Sequence, residues 1–237
     1  MRKFTPKDKK NEESKKLNLI KHFVSSSALS DLLDNMRLEK GMPCGAVIPD
    51  WKCNLQNQKI FGRANTLKLL ALKDGEDFHG IYDALKSYGG VTSNDVIVVE
   101  NEIKDYTYFG DLNTRLAIRA GACATVVDGA TRDLAETANL NYPVFARSYN
   151  ATDVRRRATT EYINKPVKIG GKDVHPGDLI FIDECALVVI YQEYESEVIS
   201  RVLNTFKNEK SITEKRWNDS FYRVMFVYTN ILILLNK

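Results

Sequence analysis

Between residues 17 and 40, apolar side chains recur every three to four positions, first Leu17, Leu19, Ile20 and Phe23, then Leu29, Leu32, Leu33 and Met36. That period gives an amphipathic helix its apolar stripe, and the serines at 25–27 between the two groups predict two short helices. The pattern then breaks into runs. Residues 45–49, 59–66 and 95–100 are predicted strands, the last reading DVIVVE, with a helix over 78–87 closed by Tyr88-Gly89-Gly90. The segment GDLNTRLAIRAG (110–121) sets Leu112, Leu116, Ala117 and Ala120 on one face and Arg115 and Arg119 on another. It predicts an amphipathic helix entered at Asp111 and stopped at Gly121.

A buried-type strand, ATVVD (124–128), is followed by a loop over 129–133, a short helix over 134–139 and a strand over 144–147. A β-rich stretch over 166–190 carries turn chemistry at Gly170-Gly171 and His175-Pro176-Gly177-Asp178, and a helix is predicted over 195–206. Strands and helices mixed in one unit indicate an α/β (α+β mixed) class. The most apolar run, VMFVYTNILILL (224–235), has 12 residues where a bilayer span needs about 20, so a buried strand or an oligomer contact is expected there.

Composition and charge narrow the function. The 237 residues, 43% hydrophobic and 27% charged, suit one domain with tails: a basic arm over 1–16, a domain over 17–207 and an extension over 208–237. The net charge is +3, but the arm holds seven basic and three acidic side chains, so the remainder is slightly acidic. A chain that tracked nucleic-acid phosphates would carry its excess on the folded body, and no nucleic-acid or membrane partner is expected. The four cysteines form no C-x-x-C pair and the three histidines are far apart, so any metal should be hard and oxygen-bound. No apolar run follows the N-terminal charges, and a cytoplasmic location is expected.

Element lengths suggest where chemistry would sit. Residues 111–120 rise about 15 Å as a helix and 124–128 extend about 16–17 Å as a strand, so Asp111 and the Arg132-Asp133 pair should share one rim. The helix start there exposes the free N–H groups of Leu112 and Asn113, which favour an anion. An arginine can hold a carboxylate or enolate oxygen, and magnesium needs only one or two protein carboxylates, so this set suits enolate stabilisation. The plainer reading is a surface ion pair. Plain readings also come first elsewhere: a solvated or intersubunit run at Arg155-Arg156-Arg157, a structural turn at His175, strand ends at Asp178 and Asp183, and a small buried residue at Cys123. Tyr106 and Tyr108 either line the rim or pack beneath it.

Asp111, twenty intervening residues, Arg132-Asp133, two more residues and Glu136 together resemble the D-x20-R-D-x2-E/D signature of the class II pyruvate aldolases in the RraA-like family. These are the 4-hydroxy-4-methyl-2-oxoglutarate/4-carboxy-4-hydroxy-2-oxoadipate (HMG/CHA) aldolases, which also decarboxylate oxaloacetate. The resemblance runs from about 25 to 190 through SALSDLLD, KIFGRANT, DVIVVE, FGDLNTRLAIRAGACATVVDGATRD, PVFAR and VKIGGKDVHPGDLIFID. It implies an RraA-like β/β/α swivelling-type sandwich and a divalent-metal-dependent lyase working through a pyruvate enolate. Asp133 would hold Mg2+ or Mn2+, Glu136 would orient waters around it, and Arg132 would bind the pyruvate carbonyl and stabilise the enolate. Asp111 would organise a proton-shuttling water, while the amides around Gly110, Leu112 and Asn113 grip the pyruvyl carboxylate. The resemblance also implies a homotrimer or homohexamer with sites between subunits, completed by a neighbour's carboxylate such as Glu209 or Glu214. Two alternatives remain: a non-catalytic regulator that binds a ribonuclease, and other enolate chemistry on a sugar acid. Residues 183–187 (DECAL) depart from the family's D-x-x-G-V, Tyr191 stands where proline is common, and 51–58, 73–78 and the chain beyond about 210 look like additions.

Overall fold

In the computed structural model, which describes residues 17 and 20–213, with side chains to 205, both helical segments expected over 17–40 are present, and Ser26 and Ser27 belong to the second rather than to the break. Helix α1 (Ser26–Lys40) is capped by the Ser25 hydroxyl, which accepts the Ala28 N–H at 3.2 Å, and ends at the left-handed Gly41. Leu29, Leu33 and Met36 form its buried stripe. Leu17 and Ile20 are helical and buried, but a turn at 21–23 separates them from α1.

The strands are β1 (Gly45–Pro49), β2 (Lys52–Cys53), β3 (Ile60–Ala71), β4 (Asp95–Asn101), β5 (Thr107–Phe109), β6 (Ala124–Thr131), β7 (Val144–Tyr149), β8 (Ala158–Ile163), β9 (Val167–Ile169), β10 (Lys172–Val174), β11 (Leu179–Ile182) and β12 (Ala186–Ile190). Among the described residues they form one mixed sheet in the order β1-β12-β11-β3-β4-β6-β7-β2, with β5 beside β6 and β8 beside β3, and a separate β9–β10 hairpin. The centre is parallel, from β3 through β4 and β6 to β7, and the β1-β12-β11 flank is antiparallel. Central strands are buried on both faces. In β4, Val96 and Val98 join one apolar cluster with Ile180, Ile182 and Leu187, while Ile97 and Val99 join the other with Leu67, Val127 and Ala117. The period of two therefore serves two cores at once, which is why these segments read as unbroken apolar runs.

Helices α2 (Asp111–Ala120) and α3 (Leu134–Asn139) match their predicted bounds. Several expectations need correction. The segment over 78–87 is a 3-10 helix (Phe78–Gly90) containing both glycines; its buried residues Ile81, Ala84 and Ser87 recur every third position, the spacing that lines up on three residues per turn. The strand from 124 continues to Thr131, because its "loop" residues pair with β5 and β7. Helix α2 buries Ala117 and half-buries Leu116 and Ala120 as predicted, but Leu112 of the same predicted face is 68% exposed while Thr114 is buried. Within 51–58, expected to be a polar addition, Trp51 is in the core and β2 pairs with β7. A last helix, α4 (Glu195–Thr213), outruns its expected end at 206. The chain divides after Val198 into two compact units, and the second contains the rest of α4. The basic arm and the apolar run over 224–235 lie outside the described residues.

Asp183, directly after β11, ties the front of the fold together. Its buried carboxylate accepts the Ser26 N–H at 2.9 Å, the Ser26 hydroxyl at 2.7 Å, and the amides of Cys185 and Ala186 at 3.0 and 3.3 Å. Burial pushes this carboxyl up, but the four donors outweigh it and hold the group below the ordinary carboxylate range. A depressed folded-state value stabilises the protein above the unfolded carboxylate value, and that stabilisation is lost as pH falls through the folded one. Asp183→Asn should therefore cost about 1–3 kcal/mol at pH 7 and flatten the loss of stability below about pH 4. Urea unfolding at a series of pH values checks this, and an unchanged acid slope would refute it.

Candidate functional site

The start of α2 lacks a cap of its own. Its N-cap residue is Gly110, with no side chain to accept an amide, and Leu112 and Asn113 as first-turn residues have no carbonyl partner inside the helix. A residue from the end of β6 supplies the acceptor: Asp133 Oδ2 takes the Asp111 N–H at 3.0 Å. Asp133 reaches it from a left-handed conformation, φ 56° and ψ 44°, at the N-cap of α3. Aspartate tolerates that region better than most residues, and such conformations persist where the surroundings hold them. Gly110 completes the fit, since a Cβ there would lie 2.5 Å from Asp133 Oδ2 and 3.2 Å from Arg132 Cγ. The shared rim expected from element lengths is therefore a direct contact.

Arg132 follows the last strand residue, and its backbone N–H bonds the Phe109 carbonyl at 3.2 Å. Its guanidinium has Nε 3.6 Å from Asp133 Oδ2, donates Nη1–H to the Ala151 carbonyl at 3.2 Å, and pairs through Nη2 with Asp153 Oδ2 at 2.8 Å. The Asp111 carboxylate turns along its own helix to Arg115, whose Nε lies 3.0 and 3.1 Å from its two oxygens. The Asn113 side-chain Nδ2–H donates to the Tyr108 carbonyl at 2.6 Å. Glu136 is exposed in the first turn of α3. Gly110, Asp111, Arg132 and Asp133 thus meet, with Leu112, Asn113 and Glu136 on the adjoining first turns. The side chains of Glu209 and Glu214 lie outside the described residues.

Sequence reasoning missed the group beneath this rim. Asp128, 2% exposed on β6, accepts Arg147 Nε at 2.7 Å, Lys104 Nζ at 3.0 Å and the Gly170 N–H at 3.0 Å. Burial raises this carboxyl, while those donors more than offset it and hold it below its ordinary value. Arg147 also lies over the Trp51 ring, 3.8 Å from its centroid. The signal was present, because VVDG and PVFAR each set one charge in an apolar run, and a charge that follows its strand into the interior needs a partner. Asp153 gave no such signal.

The other candidates take structural positions. Arg155, Arg156 and Arg157 are all exposed, as the solvated reading expected, with Arg156 and Arg157 lying over Phe78 and Tyr106 and Arg155 Nε 3.3 Å from Asp153. The His175 N–H closes its turn on Asp178 at 2.8 Å. Burial pushes the Cys123 thiol up to about 12. Tyr108 is buried, and Tyr106 carries Arg157. A separate cleft of about 300 Å³ is lined by residues 55–58, Trp51, Cys53, Phe145, Asp183 and Glu184, and contains none of the expected site residues.

Residues 26–189 match the RraA-like family, described as Aldolase/RraA. The chain belongs to the RraA-like family, and the α/β class and RraA-like fold expected from the sequence hold. It is 32% identical over 212 residues to protein DlpA of Legionella pneumophila, covering 88% of this chain and 33% of that one. It is 29% identical over 148 residues to a Halalkalibacterium halodurans protein whose name assigns it provisionally as a 4-hydroxy-4-methyl-2-oxoglutarate aldolase, covering 62% of this chain and 66% of that protein. The chain thus spans a third of DlpA and about two thirds of the second relative. Among solved structures, a Pseudomonas syringae protein has 27% identity and a TM-score of 0.68, covering 86% of this chain and 91% of its own. Streptomyces coelicolor RraAS2, described as an unusual member of the RNase ES inhibitor RraA protein family, has 22% identity and a TM-score of 0.67 over 85% of this chain and 96% of its own, a likeness of fold.

Because Gly110 and Asp133 act as one unit, their substitutions should not add. Asp133→Ala removes the cap on α2 and should cost about 1 kcal/mol. Gly110→Ala should cost a similar amount alone, but about 1 kcal/mol less once Asp133 is alanine, because the clash is gone. A urea double-mutant cycle measures the coupling, and full additivity would refute it.

Proposed function

We propose that the chain is a metal-dependent carbon–carbon lyase that cleaves or decarboxylates a 2-oxo acid through a pyruvate enolate. The observation carrying this reading is the contact of Asp133 with the open N-terminus of α2 beside the Arg132 guanidinium. It puts amide donors, a guanidinium and an acidic ligand around one small volume.

Donor chemistry fits a hard divalent ion. Asp133 and Glu136 are oxygen ligands three positions apart, Asp133 is 37% exposed at its side chain, and no cluster of three His, Cys, Asp or Glu side chains able to hold a metal exists among the described residues. One or two carboxylates with waters in the remaining positions is the magnesium or manganese pattern, not that of structural zinc. An ion held there would supply Lewis-acid polarisation of the 2-oxo oxygen.

The chain's own groups perform the rest. First-turn amides of α2, with Gly110 leaving the approach open, hold the substrate carboxylate. Arg132 donates to the 2-oxo oxygen, which gains charge as the electron pair of the breaking carbon–carbon bond moves into the enolate. Asp111, oriented by Arg115, holds the water that takes the proton from the leaving group's hydroxyl as the carbon–carbon bond breaks and passes a proton on to the enolate carbon. On this reading the protein is a homotrimer or homohexamer, and Glu209 or Glu214 of a neighbouring copy completes the site. No described helix is long and apolar enough to cross a membrane.

Pyruvate formation from oxaloacetate, corrected for the metal-only background, tests the reading. Turnover should require Mg2+ or Mn2+, stop in excess EDTA, be inhibited by oxalate, a planar enolate mimic, and fall by about 100-fold or more in Arg132→Ala and Asp133→Ala. Full activity in EDTA would overturn it. Folded protein inert toward oxaloacetate and longer 2-oxo acids would favour the ribonuclease-binding alternative.

A further inference from the structure

We infer that Asp153 is the positioning residue for Arg132, presetting the guanidinium for the 2-oxo oxygen. This rests on the lyase reading and extends it to a residue outside the recognised motif. An arginine side chain ending a strand has several rotamers of similar energy, and most would carry its donors away from the Asp133 carboxylate. Two contacts from one turn select among them: the Nη2–Asp153 ion pair at 2.8 Å and the Nη1–Ala151 hydrogen bond at 3.2 Å. They engage the outer nitrogens on the side of the turn and leave one N–H of each for a ligand.

The turn is itself held. The Asn150 N–H bonds the Thr131 carbonyl at 3.1 Å, the Thr107 N–H bonds the Thr152 carbonyl at 2.8 Å, and the Val154 N–H bonds the Thr107 carbonyl at 3.0 Å. The Thr107 hydroxyl also donates to the Asn150 carbonyl, and the Asn150 side chain to the Asp105 carbonyl at 2.6 Å. Asp153 Oδ1 accepts the Arg155 N–H at 2.7 Å, which orients Oδ2 toward Arg132. Strand β5 therefore fixes the turn, the turn fixes Asp153, and Asp153 fixes Arg132 before a substrate arrives. Ordering settled in advance is not charged against the reaction, which is how such a residue acts without touching substrate.

The test compares full-length wild type, Asp153→Ala and Asp153→Asn by magnesium-dependent oxaloacetate decarboxylation, oxalate inhibition and side-chain NMR of ¹⁵N-arginine-labelled protein, with the Arg132 Nε signal assigned by its loss in Arg132→Lys. Asp153→Ala should lower kcat and weaken oxalate by about tenfold, with a smaller change in KM, and make the Arg132 Nε–H exchange faster. Asp153→Asn, which keeps an oxygen acceptor, should recover part of all three and serves if the alanine variant does not fold. Wild-type kcat, oxalate inhibition and Nε exchange in a folded Asp153 variant would overturn the inference while leaving the lyase reading intact. An inactive wild type would overturn the lyase reading and the inference with it, whatever the NMR shows.

Discussion

The site depends on one hydrogen bond, from the Asp111 amide at the open start of α2 to the Asp133 carboxylate. A helix beginning at glycine presents uncompensated amide dipoles, and a carboxylate placed there meets both the need for an acceptor and the partial positive charge. The arrangement forces the rest. Asp133 must take a left-handed backbone conformation, Gly110 must have no side chain, and Arg132, the preceding residue, is brought to the same helix end. A conventional serine or aspartate N-cap in place of Gly110 would satisfy the helix and close the approach.

Beneath that rim the protein buries charge, although a buried ion pair is seldom a net source of stability. Asp128, Arg147 and Lys104 connect β6, β7 and the segment after β4, the Gly170 amide adds the β9–β10 hairpin, and Trp51 covers the arginine. Four segments meet at one residue of the strand that ends in Arg132. The network therefore makes more sense as a fixed seat for the end of β6 than as a stabilising device, and apolar residues could fill the space without setting that direction. Asp183 plays a similar part at the other end, fastening the first turn of α1 to the loop after β11.

Charges around the rim are largely balanced within the chain: Asp111 by Arg115, Arg132 by Asp133 and Asp153, and Asp153 also by Arg155. Groups held this way need little reorganisation when a charged ligand enters, which is the physical content of preorganisation. The RraA-like match spans residues 26–189, which include the β4-to-β7 region that builds the rim.

Elements whose cause is local follow from neighbouring residues alone. Helix α2 from Asp111 to Ala120, its glycine stop, α3, the apolar strands and the ordered series of acidic and basic residues were all legible, because period, capping and spacing are properties of neighbouring residues. The shared rim was legible too, since rise per residue fixes how far a helix and a returning strand travel. Tertiary structure alone decided what those residues touch. The extension of β6 to Thr131 follows from pairing with β5 and β7, the burial of Trp51 from its position under Arg147, and the exposure of Leu112 from which side of α2 meets the sheet. Asp153 stands twenty-one positions after Arg132 in a polar stretch that no period or motif marks, and only the pairing of its turn with β5 brings it to the guanidinium. Contacts made across a fold leave no periodic trace, so the motif was readable while the residues that support it were not.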